Sequence, residues 1–415
     1  MREKLLKFCK KIFVLPAGVT ALIAVPSFFV LALFVIYGNS GKIYQILTVP
    51  VYILNVYALI IICTGLDRLI RKSKIARIIF RIVECMLVAA IAIYVYGLYG
   101  GSGPKRGMAK KTLSRDEIKI TKGAVWSWNR SEIKESGTYE RFEYTTNTYD
   151  SDNKVVKKYA NVYLPYGYNP DDTETKYDIM YLFHGRGGDT DTFMGSTEKP
   201  RDLKYMVDHL IQEEKMRPMI IVNATYYSDN KKKGEGNYDQ EIIENYRNEL
   251  IHDLIPSVEG KYHTYEDRDH RILAGFSMGS VMTISRMMDS MEYFRYYMGM
   301  SGSIFWSVHN TSFPDNPDGA WAGKYIADKI REQGYGKDDF YLYAAVGTLD
   351  FAQETVDKMI ESMERNSDMF QINNETAAGN VSFWHGNSEE HSYHAKRRYL
   401  YNALPVFSAL IHGKS

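Results

Sequence analysis

Long hydrophobic runs occur only near the start of the chain. Three of them lie in the first 100 residues, at residues 12–37, 43–66 and 82–99. A helix needs roughly 20 apolar residues to cross the hydrocarbon core of a bilayer. The first two runs meet that length and the third is marginal. The pattern predicts a membrane anchor of about three transmembrane helices in residues 1–100.

Beyond residue 100, short apolar segments alternate with longer segments of helical periodicity. Two stretches rich in Tyr, Thr and Val flank a turn signal and predict a β-hairpin, at residues 141–149 and 157–164. The later strand candidates are residues 177–183, 219–223, 271–275, 296–300, 340–346 and 380–385. The helical patterns are residues 203–214, 238–254, 281–290, 324–333, 353–363 and 395–411. Strand followed by helix, repeated, predicts an α/β fold with a mainly parallel sheet flanked by helices.

The composition divides the chain into three predicted parts. Residues 1–100 are the membrane anchor, and residues 101–135 begin with Gly-Gly-Ser-Gly-Pro and continue with basic residues, which is typical of a tether and lead-in. Residues 136–415 are the α/β domain, which is long enough to bury one large core.

Charge is also divided between the parts. The whole chain has 51 basic and 50 acidic residues, but residues 1–100 hold 12 basic and only 3 acidic ones. Basic residues precede the first run and separate the second from the third, so the positive-inside rule predicts a cytoplasmic N-terminus. Three crossings then place the domain outside the cytoplasm. If the third run lies in the membrane interface instead, the domain is cytoplasmic.

The same patterns argue against two alternatives, a cleaved signal peptide and a nucleic-acid partner. A cleaved signal peptide fits the first run poorly, because the run is too long and another apolar run follows at once. Residues 101–415 have an acidic net charge, which argues against nucleic acid as a partner. The sequence gives no indication of the oligomeric state.

The most informative motif is Gly-Phe-Ser-Met-Gly at residues 275–279. It lies between a predicted strand and a predicted helix, where Gly-x-Ser-x-Gly forms a nucleophile elbow. Small flanking residues allow the sharp turn that lifts the hydroxyl clear of the backbone. We expect Ser277 to be a catalytic nucleophile; the alternative is a tight turn with a structural serine.

A serine nucleophile needs an acid and a base that follow it in the chain order Ser, Asp or Glu, His. Asp350 comes just after the strand candidate at residues 340–346, where an α/β sheet presents its functional groups. Asp315 and Asp318 are alternatives, but they lie in a Pro-containing loop with no strand before it. We therefore predict Asp350 as the acid.

The predicted base is His391, which follows the last strand candidate and its loop. His394 and His385 are the alternatives, and His394 already belongs to the last helical pattern. Glu390, His391 and His394 could suggest a metal site, but no further ligands stand at a convincing spacing. We expect no metal and no cofactor.

The tetrahedral intermediate of acyl transfer needs hydrogen-bond donors for its oxyanion. The N–H of Met278, the residue after the nucleophile, is one expected donor. A glycine-rich loop after an earlier strand is the expected source of the second, and we predict the N–H of Arg186, with Gly185 or Gly187 as alternatives. His184 is interpreted as a structural turn residue.

Taken together, the motifs resemble the esterase D-like branch of the α/β-hydrolases. That branch includes feruloyl and acetylxylan esterases of carbohydrate esterase family one, S-formylglutathione hydrolase and the mycolyltransferases. The resembling motifs are residues 163–165, 167–168, 181–185 and 275–279, Gly347 with Asp350, residues 391–393 and residues 400–404. The resemblance implies an α/β-hydrolase fold from residue 136 to the C-terminus. It also assigns the same catalytic residues and the same oxyanion amides. Arg186, Tyr393 and the N-terminal block depart from the family pattern.

The resemblance implies a serine esterase that removes acetyl or feruloyl groups from carbohydrate. The apolar runs and the charge pattern predict that it is membrane-anchored and extracytoplasmic. The bilayer, through residues 12–99, and an acylated carbohydrate are the expected partners. Three tryptophans are expected to be exposed and to stack on sugars, with a place in the core as the alternative: Trp306, Trp321 and Trp384. One alternative function is an acyltransferase of the mycolyltransferase type that acts on cell-envelope sugars. Another is a non-catalytic membrane sensor on a hydrolase scaffold.

Overall fold

A computed structural model describes residues 113–124, 130–228, 238–304 and 321–413. The chain divides into two units, residues 1–106 and 107–415, and every described residue belongs to the second. The three apolar runs lie outside the described residues. Within the described ranges, no helix combines the length and hydrophobicity needed to cross a bilayer.

Eight strands form one sheet. They are β1 (Thr138–Asn147), β2 (Val155–Leu164), β3 (Asp178–Phe183), β4 (Met219–Ala224), β5 (Arg271–Phe276), β6 (Tyr296–Met300), β7 (Tyr341–Gly347) and β8 (Val381–Gly386). Their order is β1-β2-β4-β3-β5-β6-β7-β8. β1 and β2 form the predicted hairpin, and β2 also pairs antiparallel with β4. All other neighbours are parallel, so the prediction of a mainly parallel sheet is confirmed.

Helices cover both faces of this sheet. They are α1 (Asp202–Gln212), α2 (Tyr238–Glu249), α3 (Ile255–Glu259), α4 (Met278–Asp289), α5 (Trp321–Glu332), α6 (Gln353–Glu364) and α7 (Tyr393–His412). A π-helical turn, Leu250–Leu254, joins α2 to α3, so the helical pattern predicted over residues 238–254 contains a change of helix type. Helices α1 and α7 pack on one face, and α2 to α6 pack on the other.

The central strands are buried on both faces, because each lies between two layers of helices. Every residue of β3 is buried. Tyr181 and Phe183 point into the core beneath α2 and α4, whereas Met180 and Leu182 point into the core beneath α1 and α7. This explains why the central strands are continuous apolar runs, as in parallel sheets generally.

The segment before β1 contributes to the core. Ile118 and Ile120 are buried, and the Arg115 guanidinium donates hydrogen bonds to the carbonyl oxygens of Ala377 and Gly379 at 3.0 and 2.9 Å. Core packing therefore begins before residue 136, which the sequence suggested as the start of the domain.

The first and last described segments meet at one place. A methyl group at Gly413 would come within 2.7 Å of the Leu113 carbonyl oxygen. Next to Gly413, His412 Nε2 donates a hydrogen bond to Asp178 Oδ2 at 2.6 Å. Asp178 is the first residue of β3, so both segments lie at the edge of the sheet where the parallel strands begin.

Candidate active site

Ser277 occupies a strained turn between β5 and α4. Its φ is 58° and its ψ is −119°, a backbone conformation that residues other than glycine rarely adopt. The flanking glycines make the turn possible: a Cβ atom at Gly275 would lie 2.1 Å from the Gly279 backbone, and one at Gly279 would lie 2.4 Å from the Phe183 carbonyl oxygen. Ser277 is therefore held at the carboxyl end of β5, as the elbow motif predicts.

Asp350 and His391 form a hydrogen-bonded pair. Asp350 follows β7, His391 follows β8, and the Nδ1 atom of His391 lies 2.8 and 3.0 Å from the two carboxylate oxygens of Asp350. The Asp350 side chain is 0 % exposed and that of His391 is 20 % exposed. The pairing sets the tautomer in which Nδ1 donates and Nε2 remains to accept a proton.

The pKa of Asp350 lies below its ordinary value. Burial alone would raise this pKa, but hydrogen bonds from His391 and from the N–H of Ala352 outweigh that effect. The carboxyl group is therefore ionised at neutral pH, as an orienting partner for the base requires.

The nucleophile and the acid–base pair meet at one edge of the sheet. The strands β5, β6, β7 and β8 are consecutive and parallel, so their carboxyl ends lie side by side. Phe276, the residue before Ser277, contacts the His391 ring with centroids 4.5 Å apart. The structure thus places Ser277 and the Asp350–His391 pair, which the sequence predicts as a triad, at the same end of neighbouring strands.

The alternative bases occupy other surroundings. His394 is exposed in the first turn of α7, and His385 lies 3.8 Å from Asp357. The alternative acids, Asp315 and Asp318, lie outside the described residues. In the part of the chain that the structure describes, no group of three or more His, Cys, Asp or Glu side chains could hold a metal ion.

Met278 is the first residue of α4. The first N–H groups of a helix have no intrahelical acceptor, and a helix N-terminus favours negative charge. Met278 is therefore placed where the sequence predicts an oxyanion donor.

The loop after β3 approaches Ser277 from the other side. A Cβ atom at Gly185 would lie 3.0 Å from the Ser277 Cβ atom. The N–H of Gly187 donates to the Tyr227 hydroxyl at 2.8 Å, so it is already in use. This hydrogen bond argues against Gly187, which the sequence offered as one alternative to Arg186.

His184 helps to hold this loop. Its Nδ1 atom donates to the Gly185 carbonyl oxygen and its Nε2 atom accepts from the Thr225 hydroxyl, both at 2.8 Å. The ring is buried and lies 4.4 Å from the Tyr226 ring. These contacts fit the structural role predicted for His184.

Two neighbours of the candidate catalytic residues were not predicted from the sequence. The Phe351 ring lies 4.2 Å from the His391 ring; its position next to Asp350 was the only available signal. The buried amine of Lys396 lies 5.0 Å from the centre of the Phe276 ring. Burial, with a smaller effect of Arg201, lowers the pKa of Lys396 to about 8.

The tryptophans proposed as sugar platforms have different environments. Trp384 is buried and packs edge-on against Tyr399 at 5.1 Å, so the expectation that it is exposed is wrong. Trp321 is half-buried and contacts Tyr325, and Trp306 lies outside the described residues. Although β8 is the last strand of the sheet, Trp384 belongs to the core beneath α7, where its large apolar surface gains most from burial.

The chain is similar to proteins described as xylanases and esterases. Over 260 residues it is 31% identical to endo-1,4-beta-xylanase Y of Acetivibrio thermocellus. This match covers 60% of this chain and 22% of that protein. Over 207 residues it is 31% identical to an endo-1,4-beta-xylanase/feruloyl esterase of Xylanibacter ruminicola, covering 48% of this chain and 26% of the relative. The chain thus spans about a quarter of the length of these curated relatives.

Solved structures show the same similarity. The feruloyl esterase module from Clostridium thermocellum, complexed with sinapinate, is 26% identical with a TM-score of 0.53, over 71% of this chain and 94% of that one. A CE1 ferulic acid esterase from Anaeromyces mucronatus, 20% identical with a TM-score of 0.51, shares the fold over 72% of this chain and all of its own. The α/β-hydrolase fold is therefore confirmed. The family described as putative esterase matches residues 157–399, more than half of the chain, and the chain belongs to this esterase family.

Proposed function

We propose that the chain is a serine carboxylic-ester hydrolase with Ser277 as nucleophile, His391 as base and Asp350 as the orienting acid. The observation that carries the proposal is the hydrogen bond between His391 and the buried Asp350, formed beside the elbow that presents Ser277. Membership of the esterase family supports the same reaction class.

The geometry supports a two-step reaction. His391 Nε2 takes the proton of the Ser277 hydroxyl as its oxygen attacks the ester carbonyl, and Asp350 stabilises the imidazolium that forms. The N–H groups of Met278 and Arg186 donate to the oxyanion, and each such donor typically contributes about 2.7 to 4 kcal/mol to transition-state stabilisation. The alcohol leaves with the proton from His391, and the acyl group stays on Ser277. Water then attacks this ester, again with His391 as base, and releases the acid.

The proposed substrate is a carbohydrate that carries a hydroxycinnamoyl ester such as feruloyl. Two observations favour this acyl group over acetyl. One curated relative is named a feruloyl esterase, and one similar structure is a feruloyl esterase module that holds sinapinate, an aromatic acid.

The proposed location is the cell membrane, with residues 12–99 as a multi-pass anchor and the catalytic domain outside the cytoplasm. The long apolar runs and the basic residues between them support this topology. Protease added to intact cells should then remove the domain. Full protection of the domain in intact cells, with cleavage only after lysis, would favour the two-span arrangement.

The chemistry is tested with the full-length chain purified in detergent. It should hydrolyse p-nitrophenyl acetate and release ferulate from a feruloylated oligosaccharide, and Ser277→Ala should abolish both activities. A matched control is Ser285→Ala in α4, the helix that follows Ser277, because the Ser285 hydroxyl donates to the Val281 carbonyl oxygen. Turnover that survives in Ser277→Ala would contradict the proposal.

A further inference from the structure

Two phenyl rings contact the imidazole of His391. Phe276 is 4.5 Å away between ring centroids, and Phe351 is 4.2 Å away. One ring belongs to the residue before Ser277 and the other to the residue after Asp350.

The two rings differ in burial. Phe276 is 5 % exposed and belongs to the core, whereas Phe351 is 68 % exposed. Phe351 is therefore a large apolar side chain that stays in solvent and touches the base. Replacing it removes little core packing, so the variant is expected to fold.

The hydrogen bond to Asp350 does not fully fix the imidazole. A single carboxylate holds Nδ1 in place, but the ring can still rock about the axis through that contact, which moves Nε2 relative to Ser277. A ring packed against the imidazole restricts this motion, and small misplacements of a reacting group reduce rates strongly.

We propose that Phe351 is a positioning residue that limits rocking of the His391 ring and so sets the position of Nε2 relative to Ser277. The inference rests on the proposed function, since it assumes His391 as the base. Phe351 acts on the base rather than on the substrate, so its loss should change kcat and leave KM nearly constant.

The test uses steady-state kinetics of the full-length chain with p-nitrophenyl acetate, whose acetyl group is too small to need an aromatic platform. Phe351→Ala should lower kcat roughly three- to tenfold, the range expected when one aromatic contact is lost. Phe351→Tyr keeps the ring and should restore the rate.

Leu349→Ala is the matched control. Leu349 lies on the other side of Asp350 and is 63 % exposed, but it has no ring to place against His391. This variant should retain the kcat and KM of the unmodified chain. A fall in kcat for Leu349→Ala equal to that for Phe351→Ala would overturn the inference, because it would reflect a general disturbance of the loop.

A second readout separates positioning from substrate binding. A small alkyl fluorophosphonate bonds to the Ser277 oxygen and loses fluoride, and this needs the base but no acyl pocket. Phe351→Ala should slow this labelling by the same factor as kcat. A raised KM with unchanged labelling would show that Phe351 binds substrate and would overturn the inference. If Ser277→Ala is inactive and Phe351→Ala behaves as the unmodified chain, this inference alone fails.

Discussion

Two Asp–His pairs lie at opposite ends of the parallel strands, one where the strands begin and one where they end. His391 is 2.8 Å from Asp350, and His412 is 2.6 Å from Asp178. Their burial is also alike: the carboxylate side chains are 0 % and 1 % exposed, and the imidazoles 20 % and 18 %. Residue types and solvent access therefore do not distinguish the two pairs, although His391 bonds its aspartate through Nδ1 and His412 through Nε2.

Their positions in the fold do distinguish them. The pair Asp350–His391 lies at the carboxyl ends of the parallel strands, where the Ser277 elbow and the start of α4 also lie. Asp178 begins β3 and His412 ends α7, so this second pair ties the last helix to the sheet. A hydrogen-bonded Asp–His pair becomes an acid–base device only where the fold adds a nucleophile and oxyanion donors.

The largest expected effect is the difference between Asp350→Asn and Asp178→Asn. Loss of a triad aspartate leaves the imidazole in the wrong tautomer, so Asp350→Asn should lower kcat on the order of 10⁴-fold. Asp178→Asn should leave kcat of the folded protein within about twofold, because the second pair is remote from the predicted nucleophile. The measurement is kcat for p-nitrophenyl acetate at pH 7. Similar losses of kcat in both variants would show that the two Asp–His pairs do not differ in function.

The next effect concerns Lys396, which lies close to Phe276 on the active-site side. Its pKa is lowered to about 8 by burial, against about 10.4 in an unfolded chain. The folded protein therefore binds fewer protons than the unfolded chain between about pH 8 and pH 10, and its free energy of unfolding rises with pH in that window. Below pH 8 the burial penalty is fully present, so Lys396→Met should stabilise the fold at pH 7 by on the order of 3 kcal/mol.

This prediction is measured by urea unfolding at pH 7 and pH 10. Lys396→Met should lose the stability gain that the unmodified chain shows between these pH values. Lys358→Met is the control, because the Lys358 amine pairs with Glu354 at the surface and such changes are usually within about 0.5 kcal/mol. Equal pH dependence in all three proteins would show that Lys396 is not the cause.

The smallest expected effect is a loss of stability in His412→Ala, at the end of the sheet where the parallel strands begin. His412→Ala removes a hydrogen bond from a buried carboxylate, and this should destabilise the fold by on the order of 1 to 2 kcal/mol. Activity per folded molecule should not change. Urea unfolding and an activity assay on the same sample measure both quantities. A variant that unfolds as the unmodified chain does but has lost activity would reverse the roles assigned to the two pairs.

Much of the fold follows from local sequence patterns. The strand predicted at residues 296–300 coincides with β6, and the helix predicted at residues 353–363 differs from α6 by one residue. These predictions succeed because central strands are short apolar runs and surface helices are amphipathic. The Ser277 elbow is also local, since its glycines and its strand-to-helix context are contiguous in the chain.

The missed features depend on contacts between distant segments. Phe351 and His391 are 40 residues apart in the chain, and no periodicity reports that their rings meet. Trp384 is one of the buried residues of β8, but only the packing of α7 on that strand reveals its contact with Tyr399. The π-helical turn at Leu250–Leu254 is hidden for another reason, because a wide helical turn preserves much of the same apolar pattern.

The meeting of Leu113 and Gly413 makes the domain a candidate for circular permutation. Because these residues are in contact at the edge where β3 begins, a short linker could join them without stretching the chain. New termini could then open at the exposed hairpin turn between β1 and β2, residues 151–153. Any carrier fused at residue 113 or 413 would attach at the opposite end of the strands from Ser277 and would leave the approach to that serine open.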